Sequence, residues 1–332
     1  MVCSLLIWLK NRVKNLMKKY KIIFLGTTEF GEPALKRLID DGHAILSVFC
    51  QPDRPNRRGK KIEYLPIKKL ALEHDCLIYQ PENINDQEMV EIIRLAAPDF
   101  LIVAAYGQKL SPEILEIPKF GALNIHGSIL PKYRGAAPIQ RAIINGDKKT
   151  GVTIMKMAEG MDTGDMYITG EIEINKRTSY GGLHKDLSDL GSQLLCDHLE
   201  EIANKSLVGQ KQNDADATYA EKIDKAMGAL DWSRPGQVLV SLINGLDPQP
   251  GAYFYLENNK VKCFSPVFEK KIMSLPPGQV VESDLQSGFA VSVSDGLLWI
   301  EEIQYPGKKR MAVKDFLRGK AIKPGTLLNR LS

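Results

Sequence analysis

The 332-residue sequence has only five cysteines, and they lie far apart along the chain. No two of them form a Cys-x-x-Cys pair, which argues against a disulfide framework or a zinc ribbon and fits a reducing compartment. A His-x-x-x-His pair and a carboxylate-rich cluster are also lacking. The sequence therefore predicts no metal site.

Motifs that hold phosphates or supply a nucleophile are missing as well. Residues 25–31, LGTTEFG, have one glycine too few for the dinucleotide-binding fingerprint, and RRGKK lacks the rest of a Walker loop. The chain has no Gly-x-Ser-x-Gly elbow to present a nucleophilic serine. Any chemistry should therefore rest on positioned side chains and on the nucleophile of a substrate.

Acidic residues are absent from the first twenty positions, which contain several lysines and arginines. The apolar run 5–9 is too short to span a membrane, and its charges follow the run, whereas a secretory signal places them first. Three interpretations of these residues remain. They are an upstream start codon, with the functional protein beginning at Met17, an amphipathic helix that lies on a membrane surface, or a mitochondrial presequence. The strand signal at Lys21 favours the first. We expect residues 1–20 to be an extension outside the fold of a cytoplasmic, bacterial-type protein.

Beyond this extension, apolar runs alternate with helical patterns. Strands are predicted at residues 20–26, 44–50, 99–107, 121–126, 150–157 and 165–174, and helices at 27–43, 68–74, 86–97 and 180–203. This alternation is typical of a parallel α/β sheet. A polar segment follows, and then short strands with turns indicate a small β-barrel or sandwich. We expect a catalytic domain over residues 21–207 and a second domain over 208–332.

The stretch 123–138, LNIHGSILPKYRGAAP, places an amide and an imidazole two residues apart at the end of a predicted strand. Asn124 and His126 therefore share one face, at the edge where α/β sheets carry their sites. Such a pair can stabilise an oxyanion and move a proton. Asp162, between glycines in GMDTGD, can orient the imidazole and keep it charged. Purely structural roles for the histidine and for the aspartate turn remain open at this point.

Residues 124–166, from NIHGSILP to GMDTGDM, resemble the signature region of the folate-dependent formyltransferases. The basic stretch 48–61, together with TYAEKI at 218–223 and LDW at 230–232, is similar to the branch that formylates methionine on initiator tRNA. The similarity extends from about Lys21 to the end of the chain. It implies a Rossmann-like formyltransferase domain that binds 10-formyltetrahydrofolate as formyl donor, followed by an OB-like β-barrel that helps to hold tRNA.

The resemblance also implies roles for particular residues. Asn124, His126 and Asp162 match the catalytic trio of the family. Its folate-binding turn is matched by Ser128, Ile129, Leu130 and Pro131. The methionine amine attacks the formyl carbon directly, with no metal. We expect a monomer that has methionyl initiator tRNA and a tetrahydrofolate derivative as partners and no membrane.

Two basic segments are candidates for contact with tRNA phosphates. The first is the loop that contains Arg54, Arg57, Arg58, Lys60 and Lys61, offset only by Asp53. The second is the tail 308–332, with eight lysines and arginines against a single aspartate. The alternative for both is a solvated, solubilising surface.

The chain departs from the family pattern at Asn244, where an arginine is usual, and at Gln249, where a tryptophan is usual. Both departures bear on tRNA docking. The rival functions are formyl transfer to another amine, such as a nucleotide-sugar or glycinamide ribonucleotide, hydrolysis of the formyl donor, and RNA binding without catalysis. The basic loop and the β-rich second domain argue against the sister enzymes, and the intact trio argues against a pure RNA-binding module.

Overall fold

The structure is a computed structural model that describes residues 19–54, 63–272, 274–286 and 288–328. Most of the predicted N-terminal extension therefore lies outside the described residues. So do four of the five predicted loop cations, namely Arg57, Arg58, Lys60 and Lys61.

The strands follow one another along the chain as β1 Lys21–Gly26, β2 Ala44–Phe49, β3 Ile78–Tyr79, β4 Phe100–Ala104, β5 Ala122–His126, β6 Arg134–Gly135, β7 Lys149–Lys156, β8 Met166–Glu173, β9 Tyr219–Ala220, β10 Tyr253–Leu256, β11 Asn259–Lys270, β12 Val280–Asp284, β13 Gly288–Val293, β14 Gly296–Gln304 and β15 Met311–Ala312. The α-helices are α1 Glu32–Asp40, α2 Pro66–Glu73, α3 Gln87–Ala96, α4 Pro112–Leu115, α5 Pro138–Ile144, α6 Tyr180–Ala203, α7 Gly236–Gly245 and α8 Val313–Gly319.

Most predicted elements have counterparts, and α6 has the predicted bounds. The first helix begins later than predicted. Thr28 accepts a hydrogen bond from the Phe30 amide and caps a short 3-10 turn, Glu29–Gly31, and α1 starts only at Glu32. Pro33 in the first turn explains this start, because proline fits where the first helical N–H groups have no partner. The two-residue strand β3 was not predicted, because so short a segment has no periodicity.

The first sheet has seven strands in the order β3-β2-β1-β4-β5-β7-β8. Strands β1 to β5 run parallel, as predicted, and β7 is antiparallel to β5. The four central residues of β1, from Ile22 to Leu25, are fully buried, which explains their unbroken apolar run. The carboxyl ends of β1, β2, β4 and β5 share one edge of the sheet, and β5 ends at His126.

The second sheet is antiparallel in the order β10-β11-β14-β13-β12, with β15 paired to β14. Helix α7 packs against β11, and both contribute to a single apolar core that also includes Trp232, Phe254 and Phe289. The predicted fold class, an α/β Rossmann-like domain followed by an OB-like barrel domain, is confirmed as this α/β unit and a curled antiparallel sheet.

Contacts along the chain divide it into two compact units. The first contains the described residues up to Arg134 together with Gly151–Glu171 and Lys185–Thr218, and the second contains Gly135–Thr150, Ile172–His184 and the described residues from Tyr219 onward. The boundary predicted near residue 208 stays a prediction. No helix in the described part of the chain is both long and apolar enough for a membrane crossing.

Candidate active site

Strand β5 carries two of the three predicted catalytic residues in the first unit. Asn124 lies opposite Val103 of β4 and Met155 of β7 and is half-buried. Across the described residues, its carboxamide has no hydrogen-bond partner. A half-buried amide without a protein partner has both N–H groups available for a bound oxygen atom.

The His126 imidazole is 5% exposed and is held from both sides. Its Nε2 lies 3.0 Å from the Tyr133 carbonyl oxygen, and its Nδ1 lies 3.6 Å from Oδ2 of Asp162. Because a carbonyl oxygen only accepts, the first contact requires a proton on Nε2. Nδ1 is therefore the nitrogen that can gain or lose a proton next to the Asp162 carboxylate.

Asp162 reaches the imidazole from the loop between β7 and β8. Its φ of 53° lies in the left-handed region, which aspartate tolerates better than most residues. The glycines around it are required: a Cβ on Gly164 would come 1.8 Å from the Lys156 carbonyl oxygen, and one on Gly160 2.4 Å from Thr163 Oγ1. The segment GMDTGD, for which a purely structural turn was one interpretation of the sequence, thus also places the Asp162 carboxylate next to the imidazole.

The predicted folate turn directly follows β5 and is held by a residue that sequence reasoning missed. The Thr153 hydroxyl, in β7, accepts from the Leu130 amide at 3.2 Å and donates to the Ser128 carbonyl at 2.8 Å. Ser128 Oγ donates to the Lys132 carbonyl at 2.7 Å, so this hydroxyl is already used within the turn. Leu130 is buried, whereas Ile129 and Pro131 are half-buried. The turn therefore offers apolar surface and backbone groups.

A second group of polar contacts joins the neighbouring strand ends. The Tyr106 carbonyl, after β4, accepts from Thr27 Oγ1 at 2.8 Å and from Gln51 Nε2 at 3.2 Å. Burial raises the pKa of the Tyr106 phenol, so this side chain stays neutral. Its hydroxyl is buried and has no partner among the described residues. These contacts fix the loops around the same edge of the sheet on which Asn124 and His126 lie.

Only the beginning of the basic loop is described. Arg54 is exposed, and Asp53 beside it forms an ion pair with Lys68 of α2. Burial raises the pKa of the Asp53 carboxyl, but hydrogen bonds from Lys68 and Gln80 outweigh this and hold the pKa below its ordinary value. The acid that precedes Arg54 is therefore already paired with a cation outside the loop.

Several cations of the basic tail are paired with acidic side chains, which its composition did not indicate. Arg310 donates to Asp247 at 2.7 and 3.2 Å and to Glu302 at 2.6 and 3.2 Å. Two more tail cations are paired with acids, Arg318 with Asp315 and Lys320 with Glu257. The acids opposite Arg310 and Lys320 lie outside the tail, so its charge asymmetry is smaller in the folded chain than in the sequence.

A cluster of three lysines in the second unit was not singled out from the sequence. The Lys260 ammonium lies 3.4 Å from the centre of the Tyr253 ring. Burial lowers the pKa of the neighbouring Lys262, and repulsion from Lys260 and Lys225 lowers it further. Because these lysines are spread over nearly forty positions, no charge run in the sequence indicates the cluster.

The two departures from the family pattern have different surroundings. Asn244 is 6% exposed, and its Nδ2 donates to the Lys176 carbonyl at 3.0 Å. Gln249 is exposed. The first therefore has a structural contact of its own, whereas the second leaves a polar side chain at the surface.

Comparison with known proteins gives two matches to protein families. The family described as formyl transferase matches residues 20–199, and the formyl transferase C-terminal domain matches residues 222–321. Among curated proteins, the chain is 44% identical over 308 residues to the methionyl-tRNA formyltransferase of Alkaliphilus metalliredigens (strain QYMF), covering 93% of this chain and 98% of that one. The methionyl-tRNA formyltransferase of Clostridium tetani (strain Massachusetts / E88) is 42% identical over 309 residues, covering 93% and 99%.

Solved structures support the fold at lower identity. HypX from Aquifex aeolicus, crystallised with tetrahydrofolic acid, is 17% identical with a TM-score of 0.63, covering 90% of this chain and 47% of HypX. The sugar 3N-formyltransferase WlaRD has the same identity and TM-score, covering 88% of this chain and all of that one. At such identities the likeness concerns the fold alone.

Proposed function

The chain belongs to the methionyl-tRNA formyltransferase family, and we propose that it transfers the formyl group of 10-formyltetrahydrofolate to the α-amino group of methionine on initiator tRNA. The observation that carries the proposal is the convergence of Asn124, His126 and Asp162 at the end of β5, with His126 Nδ1 3.6 Å from the Asp162 carboxylate. No side chain of the enzyme needs to act as a nucleophile in this arrangement.

The site fits a folate donor in two respects. The Asn124 amide, which has no partner in the described part of the chain, can donate to a formyl oxygen. The half-buried Ile129 and Pro131 of the same segment offer apolar surface. When bound, the folate supplies the electrophilic formyl carbon and accepts the electron pair of the breaking C–N bond.

Within this site, Asn124 donates a hydrogen bond where the formyl oxygen gains negative charge. An α-amino group has a pKa of about 7.7–8.0, so a sizeable fraction is neutral near neutral pH and needs no strong base. As its lone pair forms the new C–N bond, the carbonyl electrons move to oxygen, and a protonated His126 donates there through Nδ1. Removing one donor of this kind typically costs about 2.7–4 kcal/mol of transition-state stabilisation.

Asp162 has two functions in the proposed reaction. Its carboxylate lies 3.6 Å from Nδ1 of His126 and orients the imidazole. It also offers an acceptor for the proton that the attacking amine must lose when it becomes an amide. That proton then passes to the nitrogen of the leaving folate, so charge and protons balance over the reaction.

A tRNA acceptor is supported by two groups of cations. In the second unit, Lys225, Lys260 and Lys262 form a cluster whose mutual repulsion is relieved by a polyanion. In the first unit, pairing of Asp53 with Lys68 leaves the basic loop with a net positive charge. We include Arg54, Arg57, Arg58, Lys60 and Lys61 in the proposed tRNA contacts.

The test is a formylation assay with purified protein, 10-formyltetrahydrofolate and initiator tRNA charged with methionine. We expect formylmethionyl-tRNA to accumulate, and we expect no product with an amino-sugar nucleotide or glycinamide ribonucleotide. Asn124→Ala serves as the catalytic control. Formylation of a small amine with no product on tRNA would overturn the proposal, and so would formate release at an equal rate without any acceptor.

A further inference from the structure

Behind the candidate site, a buried glutamine holds the loop that carries Asp162. Gln212 is 5% exposed, and its Nε2 donates to two backbone carbonyls, those of Asp162 and Gly164, both at 2.8 Å. These two bonds use both N–H groups of the carboxamide. They fix the backbone at Asp162 and again two residues later.

The other end of the same carboxamide is bound by a buried arginine. Arg134 is 3% exposed, and its Nε and Nη2 donate to Gln212 Oε1 at 3.0 and 2.8 Å. Its Nη2 also donates to the exposed Asp214 at 2.8 Å. Because a guanidinium only donates, it fixes which end of the glutamine is oxygen, and the NH₂ group must then face the loop.

The segment that contains Arg134 also holds the imidazole. Tyr133, the preceding residue, provides the carbonyl that lies 3.0 Å from His126 Nε2. Two adjacent residues therefore hold both partners of the catalytic pair: Tyr133 holds the imidazole directly, and Arg134 holds the Asp162 loop through Gln212.

We propose that Arg134 and Gln212 are positioning residues that set the separation between His126 Nδ1 and the Asp162 carboxylate. The proposal rests on the proposed function for its kinetic consequence, but the geometry that it describes needs no substrate. It assigns a buried structural role to Arg134, which lies close to Lys132 and Tyr133 in the sequence.

The variant that isolates this role is Gln212→Glu. Glutamate keeps the shape and the acceptor oxygens that face Arg134, and the adjacent guanidinium keeps it ionised. It loses the NH₂ donor and turns an oxygen toward two carbonyl oxygens, so the Asp162 loop is released while the fold is retained. Because a displacement of about 1 Å can cost about a hundredfold in rate, we expect kcat to fall by about ten- to a hundredfold with small changes in either KM.

Gln210→Glu is the matched control, because it makes the same change two positions earlier at an exposed side chain. In a double-mutant cycle with Asp162→Asn, Gln212→Glu should add little to the loss already caused by Asp162→Asn, since both act through one contact. Fully multiplicative losses would show that Gln212 acts elsewhere, and a Gln212→Glu variant with normal kcat and normal melting temperature would also overturn the proposal.

A substrate-free measurement separates this proposal from the proposed function. The nitrogen-15 resonance of His126 Nδ1 reports its neighbouring carboxylate directly, and we expect it to shift in Gln212→Glu but not in Gln210→Glu. If the wild-type protein forms no formylmethionyl-tRNA, the proposed function fails while this shift still supports the positioning role. An unchanged resonance in Gln212→Glu would overturn the positioning role whatever the activity.

Discussion

The segment around Arg134 and the tail from Lys308 to Lys323 both contain lysine and arginine close together in the sequence, yet the structure uses their charges differently. Arg134 is buried and hydrogen-bonded to a neutral glutamine that holds the Asp162 loop. In the tail, Arg310 and two further cations are paired with acids, and Lys308, Lys309 and Lys323 have no acid partner among the described residues.

The effect of a charge in this molecule depends on its burial and its partners more than on the number of like charges near it in the sequence. The buried contact network has few members, and its hydrogen bonds hold the backbone of the Asp162 loop. Exposed cations each contribute little, and their effect is summed and screened by salt. Changes in the first region should therefore act on turnover, and changes in the second on affinity or stability.

The largest effect should come from the trio itself. Asn124→Ala and His126→Ala should each lower kcat by about a hundredfold or more, because each removes a donor to the developing oxyanion. The measurement is initial rate at saturating tRNA and formyl donor. His74→Ala, at an exposed histidine, is the control and should keep wild-type turnover. A near wild-type kcat in either site variant would contradict the oxyanion assignment.

A smaller effect, on affinity, is expected from the basic loop. Replacing Arg58, Lys60 and Lys61 together by Ala should raise KM for tRNA. The dependence of log KM on log salt should flatten by about 0.7–0.9 for each lost phosphate contact. KM for the formyl donor should change little, because the predicted folate turn is a different segment. These cations lie outside the described residues, so this experiment is a direct test of the sequence-based prediction.

The control for the loop variant removes the same charge from exposed lysines elsewhere, at Lys36, Lys109 and Lys185. If both triple variants flatten the salt dependence equally, the loop acts only through the net charge of the protein.

Within the tail, paired and unpaired cations should separate stability from binding. Arg310→Ala should lower the free energy of unfolding by about 1–2 kcal/mol, less than a fully buried pair would cost because Arg310 is partly exposed. Lys308→Ala with Lys309→Ala should leave stability unchanged and raise KM for tRNA slightly. Thermal unfolding and initial rates of both variants measure this, and equal stability of the two would contradict the assignment.

The effect of Arg310→Ala should also depend on pH. The hydrogen bond from Arg310 is the main cause that lowers the pKa of Glu302 below its ordinary value of 4.5. Since this pKa is lower in the folded state, its stabilising effect is present above about pH 4.5 and is lost as the pH falls through the folded value. The difference in melting temperature between wild type and Arg310→Ala should therefore shrink in acid.

The smallest effect is expected from the first residues. Deleting residues 1–16 should leave formylation and the melting temperature unchanged, because β1 begins at Lys21 and the family match begins at residue 20. Both are measured on the truncated protein. Loss of soluble protein or of activity after this deletion would favour the amphipathic-helix interpretation over an upstream start.

Local sequence patterns were sufficient to predict the central strands of the first sheet and the segments that carry the candidate site. The apolar runs predicted the central strands, because strands buried on both faces need unbroken apolar sequence. The spacing of Asn124 and His126 placed both on one face of β5, and the glycines around Asp162 marked a loop that requires them. The resemblance to the family then indicated the chemistry, since its motif lies in these same short segments.

The contacts that bring the site together were decided only by the tertiary structure. Gln212 and Arg134 are separated by 78 positions and Arg310 and Asp247 by 63, and neither pair has a sequence signature. Periodicity indicates which face of a helix or strand a residue occupies. A hydrogen bond between residues far apart in the sequence depends on how the tertiary fold brings their segments together. For this reason the sequence identified the amide, the imidazole and the carboxylate, whereas the 3.6 Å between His126 and Asp162 and the residues that hold it emerged only from the packed fold.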